Sequence, residues 1–135
     1  MSNLHAFLHP EQPENEKVII SERFKDENGA VVPFEIRAIT EGEADAIRRQ
    51  STRTVRTRTG ATETSTDAAK LTRLLVIAGT VTPDFRSKEL CDAYGVLDPE
   101  QAIGKMLLAG EYAKLSEAIL NLSGMGDNIE DEAKN

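Results

Sequence analysis

Residues 71–81, Leu71-Thr72-Arg73-Leu74-Leu75-Val76-Ile77-Ala78-Gly79-Thr80-Val81, are the one run in the chain too apolar for a one-sided surface helix. Leu71, Leu74, Leu75 and Ala78 recur at helical spacing, while Val76 and Ile77 make the other side apolar too. A helix that is apolar around most of its circumference must be covered by other elements or by a partner. The spacing therefore predicts a central helix, opened by Asp67, with the rest of the chain packed around it. Gly79 loosens its last turn, and Pro83 forbids continuation.

Downstream, three short helices are expected. Ser87 caps the segment SKELCDAYG, whose Leu90 and Tyr94 share a face and whose Gly95 sits at the C′ position. Asp98-Pro99-Glu100-Gln101 is a second start signal, with Asp as cap, Pro at the first helical position and Gln at the third. That helix turns Ile103, Met106 and Leu107 inward and is expected to end at Gly110. A last helix over 111–123 lines up Tyr112, Leu115, Ile119 and Leu122, and Gly124 closes it.

Upstream, Ser51–Asp67 is the least structured-looking part. Arg53, Arg56 and Arg58 alternate with threonines, and Gly60 and a Thr/Ser-rich linker follow. Threonine favours extended chain, so 52–59 reads as a polar third strand or as a mobile arm. Before it, Thr40 and Glu43 stand at capping-box spacing and open a helix to about Gln50, with Ala44 and Ile47 as its apolar contacts. Residues 17–37 read as a β-hairpin, because Val18 and Ile20, then Val32, Phe34, Ile36 and Ala38, alternate with their neighbours. Lys25-Asp26-Glu27-Asn28-Gly29 supplies the turn, with Asn28-Gly29 suited to positive φ. Pro33 lacks a donor, so its strand starts there or lies at an edge.

Residues 1–16 read as a flexible leader with one helical turn, capped by Ser2, that presents Leu4, Phe7 and Leu8 and is stopped by Pro10 and Pro13. His5 and His9 are four apart, a spacing that can pair imidazoles on a metal. With no third ligand in the neighbouring sequence, the reading is an amphipathic arm and no metal site. Residues 125–135 are acidic and read as a disordered tail.

The 135 residues suit one domain, here 17–124, and a chain of this size buries roughly two thirds of its unfolded surface. The single cysteine, Cys91, forms no internal bridge, and no secretory leader is recognised. Both point to a reducing cytoplasm. No apolar run approaches the ~20 residues of a membrane span. A net charge of −7 argues against general nucleic-acid binding, although five of nine arginines fall between Arg48 and Arg58. That basic patch reads either as a site for nucleic acid or an acidic partner, or as a solvated edge that discourages aggregation. No Gly-rich phosphate loop, metal-ligand cluster or nucleophile–base pair stands at a telling spacing, and Cys91 has no basic neighbour to activate it. The expectation is an α+β interaction protein without cofactor or catalytic residues: an antiparallel β-hairpin or small three-stranded sheet packed against four to five short helices.

The order of segments also carries a resemblance. The hairpin ISERFKDENGAVVPFEIRAIT, then TVTPDFRSKELCDAYGV, then MLLAGEYAKL and a closing Asn121-Leu122-Ser123-Gly124 together resemble the XkdN-like tail assembly chaperones of tailed phages and prophages. The resemblance spans most of 4–124. It implies a non-enzymatic chaperone that binds the tape measure protein and keeps it soluble until tail tube subunits polymerise around it. Such a protein is not retained in the mature tail. It also implies a longer product made by frameshifting, and Ala133-Lys134-Asn135 can be encoded with the slippery heptamer A-AAA-AAC. The family supplies no contact residues. The chain's own candidates for a partner surface are Leu107, Leu108 and Tyr112, for which a core role is the alternative.

Overall fold

The computed structural model describes residues 3–125. In chain order the elements are α1 (Leu4–Leu8), β1 (Glu16–Val18), β2 (Phe34–Ile36), α2 (Glu41–Gln50), β3 (Thr52–Arg56) and β4 (Thr62–Thr66). They continue with α3 (Ala68–Gly79), β5 (Thr80–Thr82), α4 (Lys88–Ala93), α5 (Pro99–Met106) and α6 (Ala109–Leu122). The α+β expectation holds: two antiparallel sheets are joined by five helices besides the α1 turn.

α3 is the spine that the sequence predicts. The Asp67 carboxylate accepts from the Lys70 N–H and caps its start. Leu75, Val76 and Ile77 are buried, and the helix packs against α2, α5 and α6. It runs into β5 without a loop. Thr80 is both the C-cap of α3 and the first residue of the strand, and its hydroxyl donates to the Val76 carbonyl at 2.7 Å. A side chain bonded this way stays satisfied while buried.

β5 pairs with β2, and β2 with β1, giving the order β1-β2-β5. Phe34 stands opposite Val18, Ile36 opposite Thr80, and the Arg37 N–H donates to the Gly79 carbonyl. The register shifts between Glu35 and Ile36. Phe34 and Ile36 thus enter one core with Val76, Phe85, Ile103, Leu115 and Ile119. Pro33 lies just before the central strand, where its missing donor costs no ladder bond.

Four expectations are corrected. The third strand of the main sheet is β5, not 52–59. Three residues following an apolar helix carry too little alternation to read as a strand. The strand expected in 52–59 is present as β3, and the stretch after Gly60 is not a linker but β4, the two forming a hairpin in its own sheet in register from Thr52↔Thr66 to Arg56↔Thr62. Gly60, at φ +83°, allows the reversal after Thr57, whose N–H donates to the Ala61 carbonyl. The Asp26–Ala30 turn is built the same way, so Gly29 alone takes positive φ and Asn28 does not. Finally, α5 ends at Leu107, which is extended at φ −97°, ψ 139°, and not at Gly110, which lies in the first turn of α6. The Glu111 carboxylate accepts from the Leu108 N–H at 2.7 Å and starts α6 ahead of the glycine.

The caps themselves hold. Thr40 and Glu43 form a reciprocal capping box, Ser87 and Asp98 accept from Leu90 and Gln101, and Gly95 and Gly124 take positive φ beyond α4 and α6. The Ser2 cap and the tail from 126 onward lie outside the described residues.

Gly79 has a packing role that loosening of a helix end does not capture. A Cβ there would stand 2.6 Å from Cγ2 and 3.1 Å from Cδ1 of Ile119. Ile119 is β-branched and 1 % exposed, so it has nowhere to move. Gly79→Ala is expected to lower unfolding free energy by about 1–3 kcal/mol. Gly104→Ala, whose Cβ meets only the Arg73 side chain at 3.4 Å, is expected to be neutral or mildly stabilising. Urea unfolding of the two variants beside the parent checks both.

Candidate interaction surface

The three predicted contact residues fall at the corner between α5 and α6, and a clasp reaching across from the β1–β2 loop sets that corner. Arg23 Nε and Nη2 donate to Glu111 Oε2 and Oε1 at 2.8 and 2.6 Å, and Nη2 also donates to the Met106 carbonyl at 3.0 Å. The guanidinium therefore satisfies an end carbonyl of α5 and, through a fork of two bonds, the carboxylate that starts α6. Glu111 is 8 % exposed. The bonds from Arg23, with further ones from Ser21 and the Leu108 N–H, hold its carboxyl well below the usual range, at about 2.

This arrangement separates the three candidates. Leu107 is buried in the core, Leu108 is 59 % exposed, and Tyr112 is half-buried. Tyr112 lies under the Arg73 guanidinium, 5.5 Å from its ring centre, and Arg73 in turn donates to the Glu100 carbonyl at 2.6 Å. Leu107 and Tyr112 thus anchor the turn that presents Leu108.

Leu97, which sequence reasoning passed over, is 96 % exposed. It sits between Gly95 and the Asp98 cap, beside an open groove lined by Val96, Gln101, Gly104 and Lys105. A lone leucine between two stop-and-start signals has no periodicity to reveal it. Phe7 and Leu8 of α1 are likewise exposed.

The remaining candidates are quieter. The His5 and His9 rings lie 4.8 Å apart, and no group of three or more metal-ligating side chains assembles among the described residues. Cys91 is buried with its thiol directed to the Phe85 carbonyl. Arg48 and Arg49 are engaged by Glu41 and Asp45 on their own helix, which removes them from the predicted basic patch. No helix of the described residues is long and apolar enough to cross a membrane.

Together these features define a small α+β protein whose surface offers apolar side chains at its corners and, among the described residues, no group of three or more metal-ligating side chains. The chain belongs to the phage XkdN-like tail assembly chaperone family, whose profile matches residues 4–134. It is 34% identical over 128 residues to the phage-like element PBSX protein XkdN of Bacillus subtilis strain 168, covering 92% of this chain and 86% of that protein. A second relative from the same organism, the uncharacterized protein YqbN, is 32% identical over 130 residues, covering 93% and 87%. The crystal structure of YqbN is similar to this fold with a TM-score of 0.74 at 30% identity, over 88% of this chain and 94% of that one. The family resemblance read from the hairpin, the TVTPDF segment and the MLLAGEYAKL segment is therefore correct.

The clasp has a pH signature. Glu111 ionises lower in the folded chain than in the unfolded one, so its contribution is complete above the ordinary glutamate range and is lost as pH falls from there through about 2. Glu43, held at about 2 chiefly by Arg37, adds a second contribution of the same sign. Glu111→Gln is expected to lower the melting temperature at pH 7 and to flatten, without abolishing, the loss of stability between pH 5 and 2. Thermal melts across that range test both effects.

Proposed function

We propose that this chain binds the tape measure protein of a phage or prophage tail, keeps it soluble during assembly, and leaves before the tail is complete. Family membership across nearly the whole chain is the observation that carries this reading. The physics supports it. A tape measure of great length exposes apolar stripes, and a small protein of net charge −7 can cover them while keeping the complex dispersed. Weak, repeated contacts along one strand hold by avidity, yet allow tail tube subunits to displace single copies. The work takes place in the host cytoplasm, where the tail is built.

The contact surface proposed is the corner at Leu108, supported by Leu107 and Tyr112. The longer, frameshifted product belongs to the same proposal. The last dozen nucleotides of the gene decide it: AAAAAAC or its equivalent permits the slip, and AAG or AAU codons remove it.

Co-expression with the neighbouring tape measure gene is the direct test. The tape measure protein is expected in the soluble fraction only when this chain is present. Leu108→Asp, at an exposed position, is expected to abolish that effect while leaving the melting temperature within a few degrees. A tape measure equally soluble alone, or this chain found stoichiometrically in finished tails, would overturn the reading.

A further inference from the structure

Gly104 lies inside α5, where glycine weakens a helix relative to alanine, and nothing within the fold requires it. Its φ is not positive. The close approach that forces Gly79 is absent too: a Cβ at 104 would meet only the Arg73 side chain, at 3.4 Å, and a long side chain can give by that much. What the missing side chain leaves open is the outer face of α5. There Gln101, Gly104 and Lys105 are exposed and line a groove with Gly95, Val96 and Leu97. Leu97 lines it from a segment tied down on both sides. The Val96 N–H donates to the Cys91 carbonyl at 3.0 Å, and the Leu97 N–H donates to Gln101 Oε1 at 3.0 Å. A leucine 96 % exposed on a pinned backbone has only side-chain freedom to lose on binding, which suits it to be an anchor.

The charges around the groove select its occupant. Among the described residues, neither Lys105 nor Arg73 beside Gly104 has a carboxylate within 4 Å. No carboxylate lines the groove, and the nearest in sequence are engaged: Asp98 by the Gln101 N–H, Glu100 by Lys70. On a chain of net charge −7 this is an apolar patch bordered by two cations. A partner with carboxylates flanking apolar side chains is favoured there and disfavoured elsewhere on an acidic surface.

We propose that the groove between Leu97 and Gly104 seats an amphipathic helix whose apolar stripe is bordered by Asp or Glu, and that this helix belongs to the tape measure protein. The stripe packs on Leu97 and Val96. The partner backbone closes on Gly104, where no side chain intervenes, and Lys105 and Arg73 receive the bordering carboxylates. An extended segment is the poorer occupant, because the floor is a helix and offers no open ladder of main-chain bonds. The owner of the helix rests on the chaperone reading, whereas the groove and the chemistry it selects are argued from this chain alone.

The test co-expresses a tagged chain with the neighbouring tape measure gene, measures the tape measure protein retained on the tag at fixed salt, and melts each variant by circular dichroism. The parent is expected to retain its client. Gly104→Leu, which fills the floor, and Leu97→Asp are each expected to lower retention about 10-fold or more. Melting temperatures are expected to stay at or above the parent's for the first and within a few degrees for the second. Lys105→Glu is expected to lower retention while Lys105→Arg keeps it, and Lys114→Glu, the same charge change on α6, is expected to have no effect. Parental retention by both Gly104→Leu and Leu97→Asp would overturn the groove and leave the chaperone reading standing. Equal effects of Lys105→Glu and Lys114→Glu would overturn the carboxylate-bordered partner. A client that the parent itself does not retain would overturn the chaperone reading and the helix assignment with it. Should Gly104→Leu lower the melting temperature, Leu97→Asp decides alone.

Discussion

The fold depends on one close approach: the backbone of α3 at Gly79 lies against the side chain of Ile119 in α6. At that point the helix becomes a strand, and the Gly79 carbonyl accepts from the Arg37 N–H beyond β2. Helix layer and sheet are therefore locked together at a single residue that has no side chain to hold them apart. Phe34 and Ile36 reach the same apolar cluster as Val76, Leu115 and Ile119 only because this junction is tight. Burial of that cluster supplies the main driving force for a domain of this size.

Around this junction, polar contacts decide where elements stop. The Arg23–Glu111 fork joins residues 88 apart in sequence and fixes the corner between α5 and α6. Ser123 performs a similar service at the other end of α6, its hydroxyl accepting from the Ile39 N–H at 2.8 Å. These bonds lie at helix termini, where four backbone groups would otherwise go unpaired. They also fix the turn on which the apolar side chain of Leu108 stands exposed. The chain's family is that of the XkdN-like tail assembly chaperones.

Much of this was legible because it is local. The Thr40–Glu43 box, the Ser87 and Asp98 caps and the glycines at 95 and 124 depend on residues within one helical turn, and each is where short-range chemistry puts it. The apolar girth of α3 likewise predicts its central position. What the sequence hid was long-range or ambiguous. β5 is three residues, too short for its alternation to register, and its strand character comes from pairing with β2. The β3–β4 hairpin buries no face, so periodicity had nothing to register. Leu107, Leu108 and Tyr112 could be read as a contact surface or as core, and the fold divides them, because a break at Leu107 turns adjacent leucines in opposite senses.

Native-state hydrogen exchange on dilute chain tests most directly whether the α3–α6 junction governs the whole. The amides of Val76, Ile77 and Ile119 are expected to exchange only through global unfolding, with the β3–β4 strands opening first at a small fraction of that free energy. Exchange of the α3 amides through a local opening, while the surrounding helices stay protected, would contradict the account.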